Sequence, residues 1–236
     1  MIGADAAPAN RDRAAAGGDA SEFALVIFDC DGVLVDSEAI STATLADSLT
    51  GIGLPTSVDY VMKHYLGRSF GVVEADYRRR AGRPLPEDFA DRWYHDLFAA
   101  FRRDLKPVEG VVSLLHRIRT PKCVASSSVP ARLALSLQVT HLAEIFGPNV
   151  FDATMVSRGK PAPDLFLLCA RRMGAEPGRT LVIEDSVMGI TAAAAAGMTA
   201  WGFVGGAHHG AGDQADMLRT AGASRIFTSM TELDLN

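Results

Sequence analysis

Several polar residues of this chain are of types that can do chemistry, and each follows a short apolar run. They are Asp29, Asp31, Ser126, Lys160, Glu184 and Asp185. Carboxylates held close together repel one another unless a cation joins them, and a hard divalent ion such as Mg²⁺ prefers oxygen ligands. Lysine supplies positive charge, while a serine hydroxyl and the backbone N–H groups that open a helix near Pro130 suit an anion. A site with both properties suits a phosphoryl group.

The apolar runs before these residues are predicted to be β-strands. The predicted strands are Ala24–Phe28, Lys122–Ser126, Phe151–Val156, Thr180–Glu184, Thr199–Val204 and Arg225–Ser229. Segments with helical periodicity lie between them: Val111–Arg119, Asp164–Met173 and Ser186–Ala196. Apolar strands alternating with amphipathic helices predict an α/β fold with a parallel sheet covered on both faces. Ligands bind beyond the carboxyl ends of such strands, so the polar residues should gather at one edge of the sheet.

The interval after the first strand lacks this alternation and is predicted to be helical. Its helices are expected at about 39–50, 57–65, 70–81 and 86–104. We therefore expect a flexible leader over 1–21, a catalytic core over 22–36 and 108–236, and an inserted helical cap over 37–107. The leader is assigned because its Ala, Gly, Asp and Arg residues form no apolar pattern.

Composition narrows the class of protein. The formal net charge of −5 gives no reason to expect nucleic acid or an anionic membrane as a partner. No stretch approaches the ~20 apolar residues that span a bilayer. Three widely spaced cysteines, Cys30, Cys123 and Cys169, lie in apolar runs and are predicted to be buried and reduced, as in a cytoplasmic protein.

Four segments together carry a specific resemblance: FDCDGVLVDSE, VASSS, GKPAPD and VIEDSVMGI. This set resembles the signature motifs of the haloacid dehalogenase-like hydrolases, and in particular the branch of helical-cap phosphatases and β-phosphoglucomutases. The motifs occur in the family's order across nearly the whole chain after residue 21. The resemblance implies a Rossmann-like, doubly wound core, with Mg²⁺ as the cofactor.

The resemblance also implies roles for individual residues. Asp29 would be the nucleophile that becomes an aspartyl phosphate, and Asp31 would be the general acid and then the general base. Lys160 would neutralise charge on Asp29 and on the phosphoryl group. The Ser126 hydroxyl and the Ser127 backbone N–H would hold phosphate oxygens. The implied metal ligands are Asp29, the backbone carbonyl of Asp31, Asp185 and, directly or through water, Glu184.

Simpler interpretations stand beside several of these assignments. Asp36, Ser37 and Glu38 resemble a helix entry, for which capping is the leading explanation. Glu184 and Asp185 precede a helix, where the dipole alone favours acidic residues. The adjacent His208 and His209 lie in a Gly-rich stretch and are expected to be solvated rather than metal-binding.

The cap is expected to select the substrate through the segment LGRSF, with Arg68 as the leading residue and Lys63 and His64 behind it. For each of the three, an ordinary surface residue is the simpler interpretation and the leading one. Relatives that act as β-phosphoglucomutases carry a histidine and an arginine at positions that match Ser41 and Phe70 here. We therefore predict hydrolysis of a small phosphate monoester of a sugar, sugar alcohol or sugar acid, with phosphoglycolate included. The alternatives are a phosphosugar mutase and a catalytically silent protein that binds a phosphorylated metabolite. We expect a monomer or a weak dimer.

Overall fold

The computed structural model of the chain describes residues 23–65, 67–206 and 213–235. Its strands are β1 (Leu25–Phe28), β2 (Lys122–Ser126), β3 (Val150–Asp152), β4 (Thr180–Glu184), β5 (Thr199–Phe203) and β6 (Arg225–Phe227). They form one sheet in the order β3-β2-β1-β4-β5-β6, and every neighbouring pair is parallel. The chain order reverses at β1, so the predicted doubly wound parallel sheet is confirmed.

Helices cover this sheet and fill the interval after β1. Between β1 and β2 the chain forms α1 (Glu38–Gly51), α2 (Val58–His64), α3 (Phe70–Ala81), α4 (Phe89–Asp104) and α5 (Val111–Arg117). The later helices are α6 (Pro130–Val139), α7 (Ala143–Phe146), α8 (Asp164–Met173), α9 (Val187–Ala195) and α10 (Asp213–Ala221). Helices α1–α4 match the predicted helices of the insertion to within three residues at each end. Sequence reasoning missed α7 and α10.

The strands are apolar throughout because both faces of the sheet are covered. Along β1, Val26 and Phe28 pack in a cluster with α1, α4 and α5, whereas Leu25 and Ile27 pack in a second cluster with α8 and α9. Successive side chains of a strand point to opposite faces, so a strand buried on both sides has no polar alternation. The first cluster continues without a break into the helical insertion, which therefore packs on the core rather than standing apart.

Three predicted strands end earlier than expected, and β3 differs most. The segment Phe151–Val156 was predicted as strand, but the strand ends at Asp152 and a 3₁₀ turn follows over Ala153–Met155. The Asp152 carboxylate accepts a hydrogen bond from the Thr154 backbone N–H at 2.8 Å, which turns the chain out of the sheet. Strand β6 likewise ends at Phe227, and β5 ends at Phe203.

The two connections to the insertion lie side by side. The Asp36 N–H donates to the Lys106 carbonyl at 3.0 Å, and the Val108 N–H donates to the Leu34 carbonyl at 3.0 Å. These two hydrogen bonds hold the two connections together beside the end of β1. The division into a core and a cap over 37–107 stays a prediction, and the expected leader over 1–21 lies outside the described residues, as do His208 and His209.

The described residues also give the character of the helices and the state of the cysteines. Over 23–65, 67–206 and 213–235, none of the helices combines the length and apolar character that a membrane-crossing segment needs. Cys30, Cys123 and Cys169 are buried and form no disulfide, as predicted.

Candidate active site

The carboxyl ends of β1 and β4 and the loop between β3 and α8 bring the predicted Asp29, Glu184 and Lys160 together. The Lys160 ammonium donates to Asp29 Oδ1 at 2.5 Å, to Glu184 Oε1 at 2.7 Å and to the Ala125 carbonyl at 2.9 Å. Its side chain is only 3% exposed. A lysine so deeply buried is stabilised in its charged form only when carboxylates surround it. The parallel sheet therefore brings Asp29 and Lys160, which are 131 positions apart, into contact.

Glu184 connects Lys160 to the start of α9. While one oxygen accepts from Lys160, the other accepts from the backbone N–H groups of Asp185 and Ser186 and from the Ser186 hydroxyl, at 2.8–3.0 Å. Ser186 also caps α9, because its hydroxyl accepts from the Gly189 N–H. Both oxygens of Glu184 are thus occupied, and the residue is 1% exposed. In this arrangement Glu184 orients Lys160; its predicted role as a metal ligand stays a prediction.

Asp31 lies two positions after Asp29 but has different partners. Its Oδ1 accepts from the Ser37 hydroxyl at 2.5 Å and from Arg132 Nη2 at 2.7 Å, and its Oδ2 accepts from the Ser128 hydroxyl at 2.6 Å. We call these three donors, Ser37, Ser128 and Arg132, the Asp31 clamp. They come from the connection between β1 and α1, the loop after β2 and the first turn of α6. Sequence reasoning placed Ser128 at this edge only as part of the serine run after β2, and it gave Ser37 and Arg132 no role in the site.

Ser37 requires a correction. Capping of α1 was the leading explanation for this residue, but its side chain makes no capping hydrogen bond and binds Asp31 instead. A helix-capping serine and a serine that reaches a neighbouring carboxylate have the same local sequence, so the sequence does not distinguish them.

The charges of the site are unbalanced. Burial raises the pKa of Asp29 well above its usual range; Lys160 opposes this rise, and the nearby Glu184 and Asp185 add to it. Burial likewise raises the pKa of Asp185, together with the negative charges of Glu184 and Glu38. For Lys160, burial alone would lower the pKa, but Asp29 and Glu184 outweigh burial and raise it. Three carboxylates thus lie near one ammonium, so full ionisation of all three would leave a surplus of two negative charges.

Asp31 shows the opposite electrostatic behaviour. Burial alone would raise its pKa, but the Arg132 guanidinium and the hydroxyls of Ser128 and Ser37 lower the pKa below its ordinary value. The two aspartates of one motif are therefore held in different environments, the usual arrangement for two carboxyl groups with separate tasks.

The remaining predicted site residues fall into two groups. Ser126 is 1% exposed at the end of β2, where its hydroxyl accepts from the Ser128 backbone N–H at 3.0 Å, and Ser127 is exposed beside it. Both precede the N-terminus of α6, as an anion site requires. Arg68 lies in the turn between α2 and α3, where it is exposed. His64 stacks on Tyr60, with ring centroids 4.2 Å apart.

The donor set fits a hard divalent cation. Over residues 23–65, 67–206 and 213–235, no three Asp, Glu, His or Cys side chains are already arranged to enclose a metal ion. The predicted set asks for the side chains of Asp29 and Asp185, for the backbone carbonyl of Asp31 and, directly or through water, for Glu184. A bound cation would favour the ionised forms of Asp29 and Asp185, whose pKa values are raised in its absence.

Comparison with known proteins identifies the family. The family model described as haloacid dehalogenase-like hydrolase matches residues 23–197. The 6-phosphogluconate phosphatase of Escherichia coli is 27% identical over 80% of this chain and 86% of its own length. The fructose-1-phosphate phosphatase of the same organism is 31% identical over 75% of this chain and 95% of its own.

Solved structures agree with this assignment. A haloacid dehalogenase-like protein from Agrobacterium tumefaciens is 38% identical, covers 89% of this chain and 95% of its own, and superposes with a TM-score of 0.79. A family hydrolase from Deinococcus radiodurans with bound phosphate and sodium is 36% identical, covers 89% of this chain and 93% of its own, and has a TM-score of 0.76. The chain therefore belongs to the haloacid dehalogenase-like hydrolases and is an enzyme of their phosphatase group.

Proposed function

We propose that this chain hydrolyses a small phosphate monoester through an aspartyl-phosphate intermediate. The observation that carries the proposal is the contact of Lys160 with Asp29 and Glu184 at the carboxyl edge of the sheet. A buried carboxylate beside an ammonium, at an edge where two serines precede a helix N-terminus, can accept a phosphoryl group and neutralise its charge.

The proposed reaction has two displacements. First, a carboxylate oxygen of Asp29 bonds to phosphorus while the bond from phosphorus to the leaving oxygen breaks, and Asp31 gives that oxygen a proton. Water then attacks the same phosphorus and gives a proton to Asp31. The bond from phosphorus to Asp29 breaks, which releases inorganic phosphate and restores the carboxylate. Lys160 balances the charge near Asp29 in both steps.

The clamp around Asp31 favours its ionised form, which suits the second displacement. The first displacement uses the protonated form, so bound substrate has to displace at least one of the three donors. Bound Mg²⁺ would be held by Asp29, the Asp31 carbonyl and Asp185, and would reduce the repulsion between the nucleophile and the phosphoryl oxygens. Glu184 would act on this group through Lys160 and the backbone of Asp185.

The proposed substrate is a phosphorylated sugar, sugar alcohol or sugar acid, and phosphoglycolate belongs to the same chemical class. Relatives whose names give 6-phosphogluconate and fructose 1-phosphate as substrates support this class, as does a phosphorylated carbohydrates phosphatase of Thermotoga maritima, which is 31% identical over 73% of this chain. The cap over 37–107 would close on such a ligand and exclude water, with Arg68 in reach of its distal groups.

Hydrolysis is favoured over mutase chemistry by two contacts. Ser41 replaces the expected mutase histidine, and its hydroxyl donates to the Ser37 carbonyl and accepts from Arg132. Phe70 replaces the expected arginine and stacks on Trp93 with ring centroids 5.6 Å apart. Internal packing thus fills both positions. A solved structure named for a β-phosphoglucomutase of Thermotoga maritima nevertheless shares the fold: it is 26% identical, covers 86% of this chain and 94% of its own, and has a TM-score of 0.73.

We also propose a cytoplasmic enzyme that acts as a monomer or a weak dimer.

A panel of phosphate monoesters, assayed for released phosphate with Mg²⁺ and again after chelation, tests the proposal. We expect turnover that depends on Mg²⁺ and that Asp29→Asn abolishes. Asp216→Asn, which alters an exposed aspartate paired with Arg219, is the matched control and should leave turnover unchanged. Hexose-phosphate isomerisation that exceeds phosphate release would favour the mutase, and binding without any turnover would favour the silent protein.

A further inference from the structure

Arg132 is a buried arginine that joins the core to the cap. Its side chain is 14% exposed and starts from the first turn of α6. Nη2 donates to Asp31 Oδ1 at 2.7 Å, to the Ser41 hydroxyl at 3.1 Å and to the Ser37 hydroxyl at 3.4 Å. The guanidinium also lies over the ring of Phe101 in α4, 5.4 Å from its centroid. One side chain therefore touches the proposed proton donor and two cap helices.

The hydroxyls of Ser37 and Ser41 both need a further hydrogen-bond donor, and Arg132 supplies it. The Ser37 hydroxyl uses its only proton on Asp31, and the Ser41 hydroxyl uses its proton on the Ser37 carbonyl. Both hydroxyls can then only accept from a third group. Arg132 fills that place, and it carries the charge that the Asp31 carboxylate needs in a buried position.

We propose that Arg132 is a positioning residue for the reaction, which fixes the direction of the Asp31 carboxylate and ties it to α1 and α4 of the cap. The inference rests on the proposed function, because it concerns the proton that Asp31 gives to the leaving oxygen. Arg132 itself touches neither the phosphoryl group nor Asp29 in this scheme. Its loss should therefore matter most for substrates whose leaving oxygen needs that proton.

Phenyl phosphate and p-nitrophenyl phosphate distinguish a substrate that needs the proton from one that does not. The two have similar shapes, but the p-nitrophenyl leaving oxygen is the more stable as an anion. The value of kcat/KM reports the first displacement. For Arg132→Met we expect kcat/KM for phenyl phosphate to fall about 10²-fold, the lower end of what a positioned proton donor contributes. For p-nitrophenyl phosphate, whose leaving oxygen needs no proton, we expect less than about a threefold fall. Asp31→Asn should likewise lower kcat/KM more for phenyl phosphate than for p-nitrophenyl phosphate. In the double variant with Arg132→Met, the ratio of the two kcat/KM values should not change further, because the two residues act as a unit.

Controls separate positioning from folding. Arg158→Met removes an exposed arginine from its pair with Asp164 and should leave both substrates unchanged. If Arg132→Met does not fold, Arg132→Lys supplies a single donor point in place of the planar fork and should give a smaller change of the same selectivity. An equal fall for both substrates, or no fall, in the folded variant would overturn the inference. Absence of turnover with every phosphate monoester tested in the parent enzyme would instead refute the proposed function, and the inference with it.

Discussion

Gly189 in α9 lies so close to Glu184 that a methyl group there has no room. An added Cβ would be 1.7 Å from Glu184 Oε1 and 1.9 Å from its carboxyl carbon, whereas such contacts are essentially never shorter than 3.0 Å. The backbone of α9 cannot retreat easily, since Ser186 caps it and Ile190 is buried beneath it. Gly189→Ala should therefore push the Glu184 carboxylate out of its position.

Two opposing effects decide how far Gly189→Ala changes the free energy of unfolding. Alanine is the better helix former by about 1 kcal/mol, which would favour the variant. Displacement of Glu184 breaks its bonds to Lys160 and to the backbone N–H groups of Asp185 and Ser186. Hydrogen bonds to a charged group contribute about 1.5–3 kcal/mol each, and a buried charge left without partners adds to the loss. With two or three bonds lost, the free energy of unfolding should fall by about 3–5 kcal/mol, and Tm by roughly 10 °C for a chain of this size.

Thermal unfolding and turnover measured on the same sample check this expectation. Gly51→Ala is the matched control, because Gly51 ends α1 with nothing within 4 Å of an added Cβ. That variant should be as stable as the parent or slightly more stable. For Gly189→Ala we also expect a fall in kcat of at least about 10²-fold, because Lys160 loses the partner that orients it. A variant that keeps both the parent Tm and the parent kcat would refute the close contact between Glu184 and α9.

Three further expectations concern Asp76, Ser57 and Ser37, all in the interval predicted to be the cap. Burial would raise the pKa of Asp76, but hydrogen bonds from Tyr65 and its other neighbours lower it to about 2, below the ordinary 3.8. Because the pKa of Asp76 is lower in the folded than in the unfolded state, its carboxylate stabilises the protein fully at pH values above the ordinary pKa of 3.8. This stabilisation is lost as the pH falls through about 2. Asp76→Asn should therefore cost about 1 kcal/mol at neutral pH, after allowance for solvent screening, and urea unfolding should show that difference vanish in acid. Ser57→Ala removes a true cap, since its hydroxyl accepts from the Tyr60 N–H, and should cost about 1 kcal/mol without loss of turnover. Ser37→Ala should instead lower turnover with little loss of stability, because the Ser37 hydroxyl binds Asp31 and caps no helix. Equal effects of the two serine variants on turnover would contradict this.

Much of the fold could be predicted because the apolar sequence of each strand indicates that both of its faces are buried. A run such as Ala24–Phe28 has no polar alternation, so both of its faces must be covered, and only a layered α/β arrangement covers both. The same logic failed for Phe151–Val156, where six residues continue the strand pattern. There the side chain of Asp152 binds the backbone two residues ahead and ends the strand, a local competition that apolar periodicity does not register. Helix α10 was missed because Met217 and Leu218 are its only large apolar residues, and two adjacent residues form no helical stripe.

The candidate site could be predicted in outline for a different reason. Once the strands are parallel, residues that follow them must meet at one edge, and the contact of Lys160 with Asp29 follows from that topology. The partners of each carboxylate oxygen do not follow, because topology fixes position only to within several ångströms. Whether Glu184 faces a metal or Lys160 depends on Gly189, which leaves the space that the carboxylate fills.

Arg132 nevertheless left a signal in the sequence that physical reasoning can use. Pro130 is the first residue of α6, which places Arg132 in the first turn. A positive charge there is opposed by the helix dipole, at a cost of about 0.3–1 kcal/mol. Side chains of a helix lean toward its N-terminus, and this N-terminus lies at the carboxyl edge of the sheet. A residue that is unfavourable for its own helix and points at a cluster of carboxylates must be stabilised by one of them, and the carboxylate is that of Asp31. The same argument applies wherever an arginine occupies the first turn of a helix that begins beside an acidic motif.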